Sequence, residues 1–414
     1  MTISYNPFDP AQVDDDEEVL TQLRRETRVA EVLPGVYYVT RYDDVAEISR
    51  DATRFPQAPF RPLEEDTRSP DELQLGESNP PGHTKVRKIL ASVLSPPRIR
   101  ALEPLVDRVC VDLVDAFTAK GSADLVGELG RPLPAQVIGE LTGVPPEDRH
   151  FLHEYSDLVV SAVQEQDPEL QQAAIDRVAE FDVHFLEVIR DRRQAVDKPD
   201  DAMTALIEYR DETGTPLSDE KVLLHLTKDL VTGGIDTTTH LVGNLFYDIL
   251  STPGTYERLR DDRSLVPTAV EECLRHRPVV NVLFRRPAED QVIGDVTIPA
   301  GSTVALGYAS ANRDETIFEH PERYDLDRGD VVRRHLGFGW GVHLCVGAPL
   351  ARLEAAHVLN AVLDRIQSMR LAPGFEYQRV KMFMMRGPVA LDVEFDAATG
   401  HHLFAGPVSP KERR

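Results

Sequence analysis

The chain has 414 residues, 41% of them hydrophobic and 28% charged, which is ordinary for a globular protein with its own core. Its formal net charge at pH 7 is -24. We expect no nucleic-acid partner for so acidic a chain, because phosphate binding needs concentrated Lys and Arg.

The sequence carries no pattern of a membrane span, an export signal or a disulfide framework. No stretch approaches the roughly 20 apolar residues that cross a bilayer. The first residues, MTISYNPFDPAQVDDDEEVL, lack the basic and apolar regions of a secretory signal, so we expect a cytoplasmic protein. Cys110, Cys273 and Cys345 lie far apart and form no C-x-x-C pair, so they predict neither disulfides nor a structural zinc site.

The first half of the chain is predicted to be mostly helical. The segment VYYVTRYDDVAEIS at 36–49 indicates a strand that turns at Asp43 and Asp44 into a helix. Residues 56–82 are rich in Pro, Asp and Glu and lack periodicity, so they predict a long loop, and such loops are commonly functional or disordered. Amphipathic patterns predict helices over about 83–94, 97–119, 134–142, 146–163 and 169–195.

The second half contains the longest predicted helix and the small sheets. Residues 218–251 predict a helix of roughly 50 Å at 1.5 Å per residue, with Ser218 as its N-cap. A shorter helix is predicted between Pro267 and Pro278, and QVIGDVTIPAGSTVALGY after it indicates a β-hairpin. APLARLEAAHVLNAVLDRIQS predicts another amphipathic helix, and short β patterns follow at about 380–395. The predicted fold class is therefore mainly α with small β-sheets.

One glycine-rich loop, HLGFGWGVHLCVG at 335–347, carries Cys345 just before a predicted helix. Free N–H groups and the helix dipole stabilise a thiolate at such a position. A phosphate loop would end in Lys and Ser or Thr, and a nucleophile would need a better-placed base than His343. A buried free cysteine stays an alternative, but a flat metal cofactor with one protein thiolate, such as haem, fits the loop better. The glycines that would let the backbone approach such a cofactor are Gly337, Gly339, Gly341 and Gly347.

The segment GGIDTTT places two glycines within the longest predicted helix, where each costs about 1 kcal/mol. Close helix packing would explain Gly233 and Gly234, and so would a planar cofactor lying against the helix. Asp236 and Thr237 put an acid beside a hydroxyl, and proton delivery to a bound dioxygen needs such a pair.

Two further pairs are ambiguous by themselves. Glu272 and Arg275 in EECLR share a helix face at spacing i,i+3, as an ordinary surface ion pair would. His83 and Arg87 in PPGHTKVR share a face at spacing i,i+4, as residues of a solvated helix start would.

The segment FGWGVHLCVGAPLARLE resembles the cysteine-ligand loop of the cytochrome P450 family, F-G-x-G-x-H-x-C-x-G-x-x-L-A-R-x-E. The resemblance implies that Cys345 is the axial ligand of a haem iron, that Phe338 packs beside the sulfur and that His343 hydrogen-bonds a haem propionate. It further implies that Gly339 and Gly347 border the cofactor. The matching positions are Phe338, Gly339, Gly341, His343, Cys345, Gly347, Leu350, Ala351, Arg352 and Glu354.

The glycine-containing helix and the E-x-x-R pair match motifs of the same family. The G-G-x-D-T match implies that Thr237 hydrogen-bonds the bound oxygen and that Asp236 relays protons to it. It places Gly233 and Gly234 beside the haem. The resemblance also implies a buried, structural Glu–Arg–Arg network formed by Glu272, Arg275 and Arg323, the last from FEHPERYD.

The segment at 79–87 is similar to the family pattern D-P-P-x-H-x-x-x-R, except that Asn79 replaces the first Asp. Asn caps a helix as well as Asp does, so we expect no functional loss. His83 and Arg87 are then implied ligands of the haem propionates. A further propionate arginine is expected just before the β-hairpin, where Arg285 is favoured over the adjacent Arg286.

The resemblance implies that residues 1–414 form a single cytochrome P450 domain, with haem b between the long central helix and the helix after the cysteine loop. It implies a bacterial-type monomeric monooxygenase that inserts one oxygen atom from O2 into an apolar organic small molecule, by hydroxylation, epoxidation or O-dealkylation. The substrate itself stays open. The loop at 56–79 resembles the variable lid over the substrate pocket, and 278–284 and 382–386 are expected to line that pocket.

A hydrogen-peroxide-using peroxygenase and a non-catalytic haem sensor are the alternative functions, and the acid–alcohol pair disfavours both. Electrons are expected from a separate ferredoxin and its reductase, because the chain has no GxGxxG or iron–sulfur cysteine set. Basic residues expected on the cysteine side would form the docking patch for this acidic donor. They are Lys85, Arg87, Lys88, Arg333 and Arg334.

Overall fold

The computed structural model describes residues 5–14, 16–63, 67–165 and 167–398, and it confirms the predicted fold class. The helices are α1 Pro10–Asp14, α2 Glu17–Glu26, α3 Tyr42–Arg50, α4 Gly82–Val93, α5 Pro96–Thr118, α6 Pro132–Thr142, α7 Leu152–Gln164, α8 Pro168–Gln194, α9 Ala202–Glu208, α10 Asp219–Leu223, α11 Gly233–Ser251, α12 Thr255–Asp261, α13 Val266–His276, α14 Tyr308–Ala311 and α15 Ala348–Arg365. Short 3-10 turns cover Pro70–Glu72, Pro146–Phe151, Arg263–Leu265, Gly329–Arg334 and Gly341–His343. Within the described ranges, no helix combines the length and the apolar composition needed to cross a bilayer.

Three small sheets lie beside the helices. The strands are β1 Val29–Leu33, β2 Val36–Val39, β3 Ser122–Asp124, β4 Val282–Arg285, β5 Gln291–Ile293, β6 Val296–Ile298, β7 Thr303–Gly307, β8 Ile366–Leu371 and β9 Asp392–Ala397. The largest sheet has the order β1-β2-β7-β4, in which only the β2–β7 pair is parallel. A second sheet has the order β3-β9-β8, and β5 and β6 form a hairpin.

The structure corrects three local predictions. Asp43 and Asp44 do not form a separate turn, because helix α3 already begins at Tyr42. They lie in its first turn, where negatively charged side chains interact favourably with the helix dipole. The predicted hairpin ends at Ile298, and the fully buried strand β7 pairs with β2 and β4 instead. The last helix ends at Arg365, because the following residues pair with β9 as strand β8.

The predicted long helix is present but changes type along its length. Ser218 caps α10 by accepting a hydrogen bond from the backbone N–H of Lys221, as predicted. The segment Leu224–Thr232 is π-helical and leads directly into α11. Helix α11 packs against α6, α13 and α15, and most of its side chains are buried. A helix buried on nearly all sides can support a site inside the protein.

The predicted loop between α3 and α4 folds back on itself and onto the long helix. Buried Glu77 accepts hydrogen bonds from the backbone N–H of Phe60 at 3.0 Å and from Arg68 at 2.8 and 2.9 Å. The backbone N–H of Leu75 donates to Asp229 in the π-helical segment at 2.9 Å. Residues 64–66 of this loop lie outside the described ranges.

Candidate active site

A cavity separates helix α11 from the glycine-rich loop that ends on Cys345. It contains about 1200 Å³ of space free of protein atoms, part of it open to solvent. The pockets that bind small molecules and cofactors are of this kind, mostly apolar with a few polar groups. Its lining includes Gly233, Gly234 and Thr237 from α11, Phe338, His343 and Cys345 from the loop, and Val279, Val280 and Leu283 from the segment after α13.

The cysteine loop is held by its own backbone and by its neighbours. The N–H of Cys345 donates to the carbonyl of Phe338 at 2.9 Å, and the N–H of Leu336 donates to the Asn312 side chain at 2.6 Å. These bonds fix the loop conformation before any ligand is considered. The Cys345 thiol then faces the cavity.

At two positions of the cysteine loop, neighbouring backbone also requires glycine, in addition to the predicted approach of a cofactor. A Cβ on Gly337 would lie 2.5 Å from the carbonyl oxygen of Leu274, and one on Gly341 would lie 2.8 Å from that of Ser49. Both glycines therefore make room for neighbouring backbone, and Gly337 also lines the cavity. Gly341 also has a φ of 73°, which favours glycine.

The electrostatics at Cys345 balance burial against nearby positive groups. Burial raises the pKa of the Cys345 thiol. The backbone N–H groups of Gly347 and Ala348 and the charges of Arg87 and Arg352 lower it. Burial outweighs these groups, so the pKa lies above its ordinary value, although the start of α15 supplies the N–H groups that stabilise a thiolate at a helix N-terminus.

Basic side chains gather at another edge of the cavity. The rings of His83 and His343 lie 4.3 Å apart between centroids, and Arg285 is only 1% exposed. Burial, reinforced by Arg87, lowers the pKa of His83 to about 4. Burial, reinforced by Arg285, His83 and Arg87, lowers that of His343 to about 3. Arg286 lies elsewhere, because its side chain donates to the carbonyl of Pro62.

The buried polar atoms of this basic cluster indicate which kind of ligand it would bind. None of the described residues hydrogen-bonds His83 Nε2, His343 Nε2 or Arg285 Nη2, although all three atoms are buried. Buried polar atoms normally have partners, so unpaired donors beside a cavity indicate a missing acidic ligand. A planar group with two carboxylates and a metal facing Cys345 fits both edges of the cavity, and haem is such a group.

On the opposite side, α11 presents a hydroxyl and a carboxyl near the cavity. The hydroxyl of Thr237 donates to the carbonyl of Gly233 at 2.7 Å. Asp236 is 5% exposed, and its Oδ2 has no hydrogen-bond partner among the described residues. Burial raises the pKa of Asp236 to about 7, with a smaller rise from Asp157 that Arg131 opposes. A carboxyl with this pKa can both release and take up a proton near neutral pH.

The two glycines of α11 differ in their surroundings. A Cβ on Gly233 would meet nothing closer than the carbonyl oxygen of Lys228, at 3.9 Å. A Cβ on Gly234 would lie 2.5 Å from Ile138 Cδ1. Gly233 therefore leaves the cavity free, whereas Gly234 also serves close packing against α6.

The predicted ion-pair network is buried, but its third member is wrong. Glu272 and Arg275 are both fully buried and joined at 2.7 Å. Arg328, which is 4% exposed, completes the network by binding Glu272 at 3.0 Å. Arg323 contributes only its backbone carbonyl, which accepts from Arg275 at 2.8 Å, while its side chain is 68% exposed and lies beside Glu322. The loop that returns past Glu272 carries Arg328 in YDLDRGD, five residues beyond the predicted position.

Sequence reasoning missed two groups next to the cavity. Asp229 lines it, accepts from Leu75 and bonds His225 Nδ1 at 2.8 Å. Glu271 joins His335 of the cysteine loop to Arg352 of α15. The spacing of Asp229 and His225, i,i+4 on one helix, could have indicated the first pair. No local pattern joins Glu271 to residues more than 60 positions away.

A cysteine thiol and a cluster of unpaired basic groups at two edges of one cavity are what a haem-thiolate protein requires. The comparisons agree: a family profile described as Cytochrome P450 matches residues 149–369. Cytochrome P450 107B1 of Saccharopolyspora erythraea is 35% identical over 86% of this chain and 88% of its own. The chain therefore belongs to the cytochrome P450 family, and it is a monooxygenase of that family.

Two further comparisons support the same family. The mycinamicin IV hydroxylase/epoxidase of Micromonospora griseorubida is 34% identical over 86% of this chain and 89% of its own. The solved structure of cytochrome P450 CYP109Q5 from Chondromyces apiculatus has a TM-score of 0.85 and 31% identity, covering 96% of this chain and all of that one. The similarity therefore extends over the whole fold and not only over the cysteine loop.

Proposed function

We propose that this chain binds haem b through Cys345 and inserts one oxygen atom of O2 into an apolar organic small molecule. One observation carries the proposal: Cys345 and His343 line the same cavity, and the buried, unpaired polar atoms of His83 and Arg285 lie close to His343. The products would be those of hydroxylation, epoxidation or O-dealkylation. We further propose that residues 1–414 act as a single domain and as a monomer.

Different residues around the cavity would contact different parts of the cofactor. Cys345 would supply the one protein ligand to the iron, with Phe338, Gly339 and Gly347 beside it. Arg87 and Arg285 would neutralise the two propionates, and His83 and His343 would hydrogen-bond them, which would give partners to the unpaired atoms of His83, Arg285 and His343. Gly233 and Gly234 would lie along the opposite face. The haem supplies the redox chemistry by which O2 is activated.

Asp236 and Thr237 would handle the protons that this chemistry consumes. Because the pKa of Asp236 is about 7, its carboxyl is partly protonated at neutral pH and can pass a proton on. The Thr237 hydroxyl, now donating to Gly233, can rotate toward the cavity and present the proton there. The preserved acid–alcohol pair favours a monooxygenase over a peroxygenase or a sensor.

The substrate would occupy the part of the cavity that the cofactor leaves free. Leu230, Val279, Val280 and Leu283 line it, which favours an apolar molecule. A relative that is 34% identical is named a mycinamicin IV hydroxylase/epoxidase, which supports hydroxylation or epoxidation as the reaction proposed here. The loop at 56–79 would cover this space, since Leu75 is bonded to Asp229 in the cavity lining.

Electrons would come from a ferredoxin bound at the cysteine side. Of the basic residues proposed to form the docking patch, Lys85, Lys88, Arg333 and Arg334 are exposed, whereas Arg87 is half-buried. An acidic ferredoxin would be attracted to such a patch on an otherwise acidic protein. Charge reversal at Arg333 and Arg334 should slow reduction by ferredoxin and weaken its salt dependence. Reduction at the wild-type rate with unchanged salt dependence would contradict this docking site.

The proposed ligand has a direct test. The reduced, carbon-monoxide-bound protein should show the red-shifted Soret band of a thiolate haem, and Cys345→Ser should abolish it. Cys110→Ser is the matched control, because Cys110 is also a free cysteine but is buried in α5 away from the cavity lining. A thiolate band that persists in Cys345→Ser would refute the proposal. Oxygen consumption that depends on substrate and on an electron-transfer pair would separate the enzyme from a sensor.

A further inference from the structure

Two adjacent glutamates in the middle of α13 bind different parts of the protein. Glu272 enters the buried network with Arg275 and Arg328 described above. Glu271 instead reaches the cysteine loop and α15, where it bonds His335 Nε2 at 2.9 Å and Arg352 at 2.5 and 3.0 Å. The side chains of Glu271 and His335 are only 12% and 2% exposed. A charged group so buried and so fully bonded constrains the residues that it touches.

The hydrogen bonds of His335 define its protonation. The backbone N–H of Gly337 donates to His335 Nδ1 at 3.0 Å. A ring nitrogen that accepts a hydrogen bond carries no proton, so the proton of this neutral imidazole lies on Nε2 and is donated to Glu271. His335 therefore ties the loop backbone to α13 through one fixed tautomer. Gly337 makes this approach possible, because a Cβ there would lie 2.5 Å from the Leu274 carbonyl oxygen.

Both ends of this network meet at Phe338. Its backbone follows Gly337, which His335 holds. Its ring lies under the guanidinium of Arg352, 4.6 Å from the ring centroid, and Arg352 is held by Glu271. Its carbonyl accepts the hydrogen bond from the N–H of Cys345 at 2.9 Å. The backbone before Phe338 and the face of its ring are thus anchored to one carboxylate.

We propose that His335, Glu271 and Arg352 are positioning residues that fix Phe338 against Cys345 and so preserve its thiolate ligation and set the potential of the metal centre. The inference rests on the proposed function, in which Cys345 binds the haem iron. Groups that orient a metal ligand without touching the metal tune affinity and potential in this way. None of the three needs to contact substrate or cofactor.

Substitutions of His335 can separate its two bonds. In His335→Gln the amide lies near the Nε2 position, so the donor to Glu271 is kept and the acceptor for Gly337 is lost. In His335→Asn the side-chain oxygen lies near the Nδ1 position, so the acceptor is kept and the donor is lost. Arg352→Lys keeps the charge but removes the fork that binds Glu271 and the planar contact with Phe338.

The experiment uses the holoenzyme in its reduced, carbon-monoxide-bound form. We expect His335→Gln to lose the thiolate Soret band in mild urea about tenfold faster than the wild type, the factor expected when one buried hydrogen bond is lost. His335→Asn, which loses the bond to the charged Glu271, should lose the band at least as fast as His335→Gln. Arg352→Lys, at a side chain that is 39% exposed, should fold normally and shift the reduction potential of the haem.

His276→Gln is the matched control. His276 is the last residue of α13, and it bonds Asp248 and the Glu322 carbonyl, each at 3.0 Å, without touching the cysteine loop. It should lower the unfolding temperature and leave both the rate of band loss and the potential unchanged. In the reduced, carbon-monoxide-bound form, which is diamagnetic, nitrogen NMR should show the His335 proton on Nε2.

Two negative results are distinguishable. If the wild type shows the thiolate band but His335→Gln and Arg352→Lys match His276→Gln in every readout, the network is only structural and the inference is overturned. If the wild type itself lacks the band, the proposed ligation by Cys345 fails, and the inference fails with it.

Discussion

On the cysteine side of the cavity, hydrogen bonds hold the loop backbone from Leu336 to Cys345, whereas on the α11 side the helix leaves polar groups available. Phe338 accepts from Cys345, and Leu336 donates to Asn312. Opposite them, Asp236 keeps an oxygen without a partner in the described structure, just after a π-helical stretch.

The difference follows from what each side would do. A ligand atom must keep one position relative to a metal, so its supports are bonded on several sides. A proton relay must change partners during a reaction, so its groups need free hydrogen-bonding capacity. The predictions below alter one side at a time, and they run from the largest expected effect to the smallest.

The largest effect is expected beneath the cysteine side, in the network of Glu272. Arg328→Ala should destabilise the fold by about 3–5 kcal/mol, because it leaves a buried carboxylate short of a partner. Arg323→Ala should change the free energy of unfolding by less than about 0.5 kcal/mol, because that side chain is exposed. Denaturant unfolding of both variants in the same cofactor-loaded state measures the contrast. Equal losses of unfolding free energy in the two variants would mean that Arg328 is not the third member of the buried network.

The next effect concerns Asp236 on the α11 side. Asp236→Asn should lower product formed per electron pair about a hundredfold, the usual scale for a lost proton-transfer group. Because the pKa of Asp236 is raised to about 7, wild-type proton delivery should fall as pH rises through 7, and the Asn variant should lose this limb. Asp157→Asn should move the limb to lower pH, since Asp157 contributes to the raised pKa. An unmoved limb would assign the titration to another group.

A stability effect is expected from Glu354 of α15, whose pKa burial raises to about 8. Between the ordinary pKa near 4.5 and this value, the folded state keeps a proton that the unfolded state releases. The free energy of unfolding should therefore fall with rising pH, by up to about 1.4 kcal/mol per unit in that range. Glu354→Gln should flatten the dependence, while Glu257→Gln, at an exposed position, should not. If the unfolding free energies of the wild type and Glu354→Gln depend on pH in the same way, Glu354 is not the source of the dependence.

The smallest effect tests the loop between α3 and α4, which is bonded to Asp229 in the cavity lining. Asp229→Leu removes the acceptor for the Leu75 N–H and should cost about 1 kcal/mol of loop closure. Hydrogen exchange of the peptide around 72–79 should accelerate roughly fivefold. Asp229→Asn keeps an acceptor oxygen and should exchange nearly as slowly as the wild type. Similar acceleration in both variants would show that the charge, and not the hydrogen bond, holds the loop.

The features that could be predicted from the sequence are those determined by residues close together in the chain. The helix containing Glu272 and Arg275, the cap at Ser218 and the cysteine loop all depend on spacings within a few residues. Strand β7 was paired wrongly because its partner β2 lies near the start of the chain, and a turn signal beside it favoured a hairpin.

Side-chain partners across loops were beyond the same reasoning. Arg323 and Arg328 lie in one irregular segment, and only the path of that segment past Glu272 decides which guanidinium points inward. Likewise, the bonds of His335 to Glu271 and of Gly337 to His335 depend on how two distant elements meet. Tertiary packing, and not propensity, makes these choices.

The contact between the cysteine loop and α3 has a consequence for biosynthesis. Gly341 rests on the backbone of Ser49, and Tyr42 donates to the Arg334 carbonyl across 292 residues of sequence. At about 5–20 residues per second, a ribosome makes the second partner tens of seconds after the first. The N-terminal surface that supports the loop must therefore wait, without its partner, until almost the whole chain has been translated. If Cys345 binds the haem as proposed, cofactor insertion is a late step, which follows synthesis and does not guide its early stages.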